Sequence, residues 1–150
     1  MRADALTTGD RSRDSRRPFD VERLRGIRIL LVEDDDESRE LLADVLAETG
    51  ATVAQAGSAA DGMTQLIAEP PHVLISDIGM PFEDGNSFVR RVRALPPERG
   101  GDVPAIALTA YARPDDRLAS EDAGFQLHVV KPVRPDQLLA AIESCVRLRY

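Results

Sequence analysis

Five short, mostly apolar runs recur along the chain, and each is followed by a segment with helical periodicity. The runs are rich in branched residues and too short to be helices. A strand that is apolar along its whole length is typical of a parallel sheet, because both faces of such a sheet are covered. This alternation limits the fold more than any other feature of the sequence. The runs lie at 27–32, 51–56, 72–76, 104–109 and 125–130.

The segments between the runs predict amphipathic helices. Gly50 occupies the position of a C-terminal cap for the first helix, and Ser58 that of an N-cap for the second. A third helix is predicted near 86–95, a short fourth one lies within "RPDDRLASEDAG", and Pro135 favours the start of a fifth. The residues expected to face the core are Leu41, Leu42, Val45 and Leu46, then Met63, Leu66 and Ile67, then Phe88, Val89 and Val92, and finally Leu138, Leu139, Ile142 and Val146.

Strands that alternate with helices predict an α/β domain with helices on both faces of a parallel sheet. Right-handed crossovers make it a doubly wound open sheet. In such a sheet, functional groups collect at the carboxyl ends of the strands, beside the point where the strand order reverses. We therefore predict a single folded domain at 27–150, with its site at that edge.

The first 26 residues show no sustained periodicity and are predicted to be a polar tail or linker. They carry seven arginines and five acidic residues, whereas the whole chain has a net charge of -7. An acidic chain is a poor direct partner for nucleic acid. The chain has one cysteine, Cys145, and neither a signal-peptide core nor an apolar run that could span a membrane. These features predict a cytoplasmic location and no membrane partner.

Charged and hydroxyl side chains stand where the predicted strands end. Glu33 and Asp34 follow the first strand, Asp77 follows the third, Thr109 ends the fourth and Lys131 follows the fifth. Asp77 alone could be a residue that merely ends a strand. Two carboxylates ~5 Å apart, however, repel by about 3 kcal/mol at an effective dielectric of 20, and one lysine offsets only part of this. Oxygen ligands select a hard cation, and Mg²⁺ is the natural candidate.

The same residue types suit phosphoryl transfer. Mg²⁺ and Lys131 would neutralise phosphoryl oxygens, while Thr109 would donate a hydrogen bond. No serine, cysteine or histidine is well placed as a nucleophile. Aspartate forms acyl-phosphate intermediates, and Asp77 is predicted on the central strand. Asp77 is therefore the expected nucleophile.

Four fragments, "ILLVEDDDESRELL", "VLISDIGMPFEDG", "IALTAYA" and "HVVKPV", together resemble the response-regulator receiver domain of two-component signalling. The likeness covers about residues 27–147. It implies a flavodoxin-like sheet with strand order 2-1-3-4-5. "GFQLHVVKPV" is similar to receivers fused to hybrid sensor kinases, and stand-alone single-domain regulators are the other form that the likeness suggests.

The resemblance assigns an acceptor and a metal site. Asp77 would accept the phosphoryl group from the phosphohistidine of a histidine kinase or a phosphotransfer protein. Asp34 would bind Mg²⁺ directly, Glu33 through water, and Asp77 through its carboxylate. The backbone carbonyl of Gly79 would complete the protein ligands.

The resemblance also assigns the residues around the phosphoryl group. Thr109 and Lys131 would contact it, and the Lys131–Pro132 bond is expected to be cis. Tyr111 is bulky and would shield the phosphate, whereas Gly79 has no side chain to position or block attacking water. His128 takes the place of the aromatic residue that usually couples to the threonine.

A receiver of this kind is a switch and not an enzyme. Phosphorylation would shift the face built from the fourth helix, fifth strand and fifth helix, so that a downstream protein or a phosphorylation-dependent dimer binds there. Because the last predicted helix runs to the end of the sequence, we expect the output to pass through a separate partner.

Two alternatives stay open at this point. One is a Mg²⁺-dependent phosphatase of the haloacid dehalogenase type, which uses an aspartate nucleophile. Such an enzyme needs a second aspartate two residues later, where Gly79 stands, and a cap for which the chain has no room. The other is a receiver-like module that binds partners without being phosphorylated.

Overall fold

The structure is a computed structural model that describes residues 22–110 and 113–149. Most of the predicted tail and Tyr111 lie outside the described residues. Within them, five parallel strands form one sheet in the order β2-β1-β3-β4-β5, which confirms the predicted fold. The strands are β1 (Arg28–Val32), β2 (Thr52–Ala56), β3 (Val73–Asp77), β4 (Ala105–Thr109) and β5 (Leu127–Val130).

Helices separate the strands as the sequence predicts. Asp35, Ser58 and Asp84 act as N-caps of the first three, each accepting a hydrogen bond from a backbone N–H in the first turn. A short 3₁₀ helix at Pro97–Arg99 lies between the third α-helix and the fourth strand. The α-helices are α1 (Asp36–Ala47), α2 (Ala59–Ala68), α3 (Gly85–Arg93), α4 (Pro114–Ala123) and α5 (Pro135–Arg149).

The core divides between the two faces of the sheet. Alternate residues of β1 point to opposite faces, so Ile29 and Leu31 join one cluster while Leu30 and Val32 join the other. The first cluster contains the buried residues of α1 and α5, and the second contains those of α2 and α3. As predicted, α3 buries Phe88, Val89 and Val92, whereas α5 buries Leu138, Leu139 and Ile142, with Val146 half-buried.

Two predicted core residues are exposed. Leu41 has 66% of its surface exposed and Ile67 has 44%. The buried stripe of α1 runs through Ala43 and Leu46, and Leu41 lies about 140° around the helix from Leu46. The prediction failed because it weighted the larger apolar side chains and overlooked a buried alanine.

Residues that precede the predicted boundary at residue 27 contact the core. Leu24 is buried in the same cluster as α1 and α5, and its N–H donates to the Thr49 carbonyl at 2.8 Å. Beside it, the guanidinium of Arg23 donates two hydrogen bonds of 2.6 Å to the Glu143 carboxylate on α5. The sequence did not show this contact because one leucine among arginines has no periodicity.

None of the helices in the described part of the chain has both the length and the apolar character needed to cross a membrane.

Candidate functional site

The strand order brings the predicted site residues to one edge of the sheet. β3 lies between β1 and β4, with Val32 paired to Ser76 and Asp77 paired to Leu108. After β1 the chain moves to one side, to β2, and it then returns to build β3 on the other side. The crevice at such a switch point is the usual site of function in an open α/β sheet.

Lys131 bridges two buried carboxylates. Its Nζ donates to Glu33 Oε1 and to Asp77 Oδ2, each at 3.1 Å. Glu33 is 1% exposed and Asp77 is 6% exposed, whereas the Lys131 side chain is 32% exposed, so the carboxylates are buried while water still reaches the lysine. The Lys131 N–H donates to the Thr109 carbonyl at 2.8 Å, and the Lys131–Pro132 bond is cis, as predicted.

Burial changes the protonation of this group. The pKa of Glu33 rises to about 7, mainly through desolvation and further through the neighbouring Asp77, although hydrogen bonds from the Asp35 N–H and Lys131 oppose the rise. Burial alone would lower the pKa of Lys131, but its hydrogen bonds to Asp77 and Glu33 raise it overall. The ammonium therefore stays charged, while Glu33 alternates between its neutral and ionised forms near neutral pH.

Three carboxylates are close enough to share a cation. Oxygens of Glu33, Asp34 and Asp77 all lie within 4.8 Å of one another, and Asp34 is exposed. One ammonium faces these three groups, so the ionised cluster carries surplus negative charge. The ligand atoms are all carboxylate oxygens, which Mg²⁺ prefers, and the exposed side leaves room for the waters it retains. The residues therefore fit a magnesium ion.

The loop after β3 is shaped by two glycines. The Gly79 N–H donates to Asp77 Oδ1 at 3.2 Å, and open space surrounds the position that a side chain at residue 79 would occupy. Gly85 has no such space, because a Cβ there would overlap the carbonyl oxygen of Asp77. The closeness of Gly85 to the carboxylate-bearing strand depends on tertiary contact, which no local pattern reveals.

Arg39 is a further residue that sequence reasoning missed. Its Nη1 donates to the Glu33 carbonyl at 2.9 Å, its Nη2 lies 2.8 Å from Asp36 Oδ1, and its Nε donates to Gln55 Oε1 at 3.3 Å. The side chain is 14% exposed. Arg39 thus ties α1 and β2 to the end of β1, where the acidic residues stand. Its i,i+3 spacing from Asp36 was the available signal.

Thr109 and His128 lie on the neighbouring strands. Thr109 is 4% exposed at the end of β4. His128 pairs in register with Ala107, and its ring centroid lies 6.5 Å from that of Phe125. Burial, and then the charge of Arg117, lower the pKa of His128. Its Nε2 is buried without a hydrogen-bond partner among the described residues, which suits a neutral imidazole.

Comparison with known proteins identifies the family. The pattern of the response regulator receiver domain matches residues 29–143. The chain belongs to the response regulator receiver domain family. Receivers are signalling modules that interact with histidine kinases, and they bind Mg²⁺ in an acidic pocket.

Relatives of this receiver include short and long proteins. An uncharacterised 14.6 kDa protein of Leptolyngbya boryana is 43% identical over 116 residues, which span 77% of this chain and 87% of that protein. The transcriptional regulatory protein GltR of Pseudomonas aeruginosa is 37% identical over 81% of this chain, but the match covers 50% of GltR. The chain thus spans half the length of that regulator.

Solved structures share the fold. A putative response regulator from Chloroflexus aurantiacus matches 81% of this receiver and 98% of its own chain, with 30% identity and a TM-score of 0.75. The chemotaxis response regulator CheY4 of Vibrio cholerae matches with 25% identity and a TM-score of 0.74, over 79% of this chain and 98% of its own.

Proposed function

We propose that this receiver accepts a phosphoryl group on Asp77 from the phosphohistidine of a histidine kinase or a phosphotransfer protein. The observation that supports this most is the position of the Asp77 carboxylate, which accepts a hydrogen bond from the Lys131 ammonium and belongs to an acidic cluster suited to Mg²⁺. An oxygen of Asp77 forms the new bond to phosphorus while the P–N bond breaks. The bonding electron pair leaves with the imidazole nitrogen of the donor.

The metal site of the proposal consists of Glu33, Asp34, Asp77 and the backbone carbonyl of Gly79. Asp34 would bind the ion directly and Glu33 would act through water. A bound Mg²⁺ supplies positive charge that stabilises the transferring group and relieves the repulsion among the carboxylates. The neutral form of Glu33, which its raised pKa favours, is the form that suits the cluster without a cation.

Two further side chains act on the phosphoryl group in this proposal. Lys131 already donates to Asp77 Oδ2, so the new phosphoryl oxygens replace carboxylate oxygens as its partners with little movement. The Thr109 hydroxyl, at the end of the next strand, donates to the same group. Both side chains are held at the carboxyl edge by β4 and β5, which makes the electrostatic stabilisation preorganised.

The output of the switch is proposed to be the α4–β5–α5 face. Phosphorylation shifts this face between two states, and a downstream protein or a second phosphorylated copy binds one of them. Leu118 on α4 and Val130 on β5 are exposed apolar side chains on this face. We place the switch in the cytoplasm, with no direct nucleic-acid or membrane contact, and we expect 1–26 to include a polar segment outside the receiver.

The test is phosphorylation by acetyl phosphate in the presence of Mg²⁺, read by intact mass. We expect one added phosphoryl group, lost in Asp77→Asn and on addition of a chelator. Asp44→Asn is the control, because Asp44 is an exposed residue of α1 outside the acidic cluster. An unchanged mass, under conditions that label another receiver, would contradict the proposal.

The two alternatives find no support. The position two residues after Asp77 is an exposed glycine, so the second acid of a phosphatase is missing. A module that binds without phosphorylation would need neither Lys131 between two buried carboxylates nor the acidic cluster. Sustained turnover of a phosphate monoester would distinguish the phosphatase from the switch.

A further inference from the structure

Phe82 has an unusual backbone and an unusual environment. Its φ is 71°, and it is the one residue other than glycine with positive φ in the part of the chain that the structure describes. A bulky side chain rarely adopts this conformation, because its Cβ crowds the following carbonyl. The ring is also fully exposed. Strain of this kind persists only where the surrounding structure imposes it, and it concentrates at functional sites.

The loop around Phe82 is held firmly on the side of Glu83. The Glu83 N–H donates to the Pro81 carbonyl at 2.8 Å, which closes a γ-turn with Phe82 at its centre. The Glu83 carboxylate accepts hydrogen bonds from Arg91 at 2.7 and 2.8 Å and from the Ser87 hydroxyl at 2.9 Å. These bonds from Arg91 hold the pKa of Glu83 below its usual range. These contacts fix the residue that follows Phe82 and the turn in which Phe82 stands.

The same loop is fixed to the phosphoryl acceptor. The Gly85 N–H donates to the Ile78 carbonyl at 2.7 Å, and Gly85 packs directly against the carbonyl of Asp77. Asp84 caps α3 at the end of the loop. Both ends of the loop are thus attached beside Asp77, and Phe82 projects from its middle.

The geometry points to one binding partner for Phe82, and this step rests on the proposed function. Asp77 is 6% exposed, so a phosphohistidine ring must enter the carboxyl edge of the sheet to reach it. The surface of the protein that carries the histidine must then cover the loops around that edge. We propose that Phe82 is a docking contact for this phosphohistidine-bearing protein. Aromatic side chains are enriched in the buried centre of protein interfaces, where the exposed ring would lose its contact with water.

The experiment compares a protein donor with a small donor. The protein probe is the autophosphorylated histidine kinase, out of a purified set, that labels the unchanged receiver fastest, and the small probe is acetyl phosphate. The variants are Phe82→Gly, which removes both the ring and the strain, and Phe82→Trp, which keeps an aromatic ring. Ile67→Ala is the matched control, because Ile67 is an exposed apolar residue in the last turn of α2, at the opposite edge of the sheet.

We expect Phe82→Gly to lower the second-order rate of transfer from the kinase about tenfold, equivalent to about 1.4 kcal/mol. Labelling by acetyl phosphate should stay within about twofold, since a contact with the donor protein is absent there. Phe82→Trp should keep most of the kinase rate, and Ile67→Ala should keep both rates. The thermal midpoint of Phe82→Gly should not fall, because glycine adopts positive φ readily.

Three results would overturn the inference. One is an unchanged kinase rate in Phe82→Gly, whether or not that variant alters self-association of the receiver. Another is an equal loss with both donors, which would assign Phe82 to the geometry of the acceptor and not to docking. The third is failure of acetyl phosphate to label the unchanged protein, which removes the proposed function and the inference together.

Discussion

Much of the electrostatic cost of building the site falls on one residue, Glu33, because its carboxyl group is buried. It is almost fully buried, it faces Asp77, and its pKa of about 7 lies well above the ordinary glutamate value of 4.5. A carboxyl group with a raised folded pKa stabilises the fold at low pH, because the folded state binds its proton more tightly. That stabilisation is complete below about pH 4.5 and is lost as pH rises through about 7.

Replacement of Glu33 by glutamine should therefore remove the part of the pH dependence of stability that Glu33 causes. Without Mg²⁺, we expect Glu33→Gln to be more stable than the unchanged protein above pH 7, by up to about 3 kcal/mol, since one pKa unit corresponds to 1.36 kcal/mol. The two proteins should converge below about pH 4.5. Urea denaturation at several pH values in a chelator measures the difference. Glu37→Gln, on the exposed face of α1, is the control and should follow the unchanged protein at every pH.

The same urea denaturation can be repeated in the presence of Mg²⁺. Since the ion favours the ionised cluster, it should stabilise the unchanged protein at pH 7.5 and Glu33→Gln much less. If the unchanged protein and Glu33→Gln had parallel stability curves from pH 5 to 8, the raised pKa of Glu33 would be wrong.

At the scale of single elements, the sequence predicted the strands better than the helix faces. A strand buried on both faces needs only an apolar run, which 29–32 and 105–108 supply without interruption. A helix face depends on small residues as well, and the buried stripe of α2 runs through Ala59, Gly62 and Leu66. Ile67, about 100° from Leu66, lies at its margin and is exposed.

For the candidate site, too, the sequence indicated some residues and missed others. Its acids, hydroxyl and ammonium could be found because each stands directly after an apolar run and strand ends meet at one edge. The residues that support them could not be found in this way. Arg39 and Gly85 act through contacts with a backbone carbonyl, of Glu33 and Asp77 respectively, and such contacts leave no mark on local sequence patterns.

Arg39 gives a prediction at this scale, because it joins three elements. Arg39→Lys keeps the charge but loses the planar fork that reaches the Glu33 carbonyl, Asp36 and Gln55 together. The acidic loop should then be less well ordered, and Mg²⁺ affinity should fall about tenfold, as is typical when support around a metal ligand is lost. Calorimetric titration with Mg²⁺ measures this effect.

Arg90→Lys is the control for Arg39→Lys. Arg90 is an exposed residue of α3, and its substitution also keeps the charge. Equal Mg²⁺ affinities for the Arg39→Lys variant and the unchanged protein would show that the fork does not order the acidic loop.

At the scale of the whole molecule, one side of the core is covered by a segment whose contact with it the sequence did not indicate. Residues 22–26 run from the predicted tail onto the end of α1, and Arg23 reaches across to α5. This turn covers the core cluster at the edge of the sheet opposite the candidate site, because it directly precedes the amino end of β1. Helix placement followed from the sequence pattern and strand order from the resemblance to receivers, whereas the contact of residues 22–26 with the core depends on a single buried side chain, Leu24.

Leu24 and Leu41 form a pair that tests this contact directly. Both are leucines, but Leu24 is 2% exposed while Leu41 is 66% exposed. Leu24→Ala should lower the free energy of unfolding by about 2–5 kcal/mol, through lost burial and the cavity that remains. Leu41→Ala should change it by less than about 0.5 kcal/mol, as expected for a surface position. Urea denaturation of both variants measures the two changes in the free energy of unfolding. Equal changes would mean that residues 22–26 belong to the tail, as the sequence alone predicts. A large change for Leu24→Ala alone would make them part of the receiver.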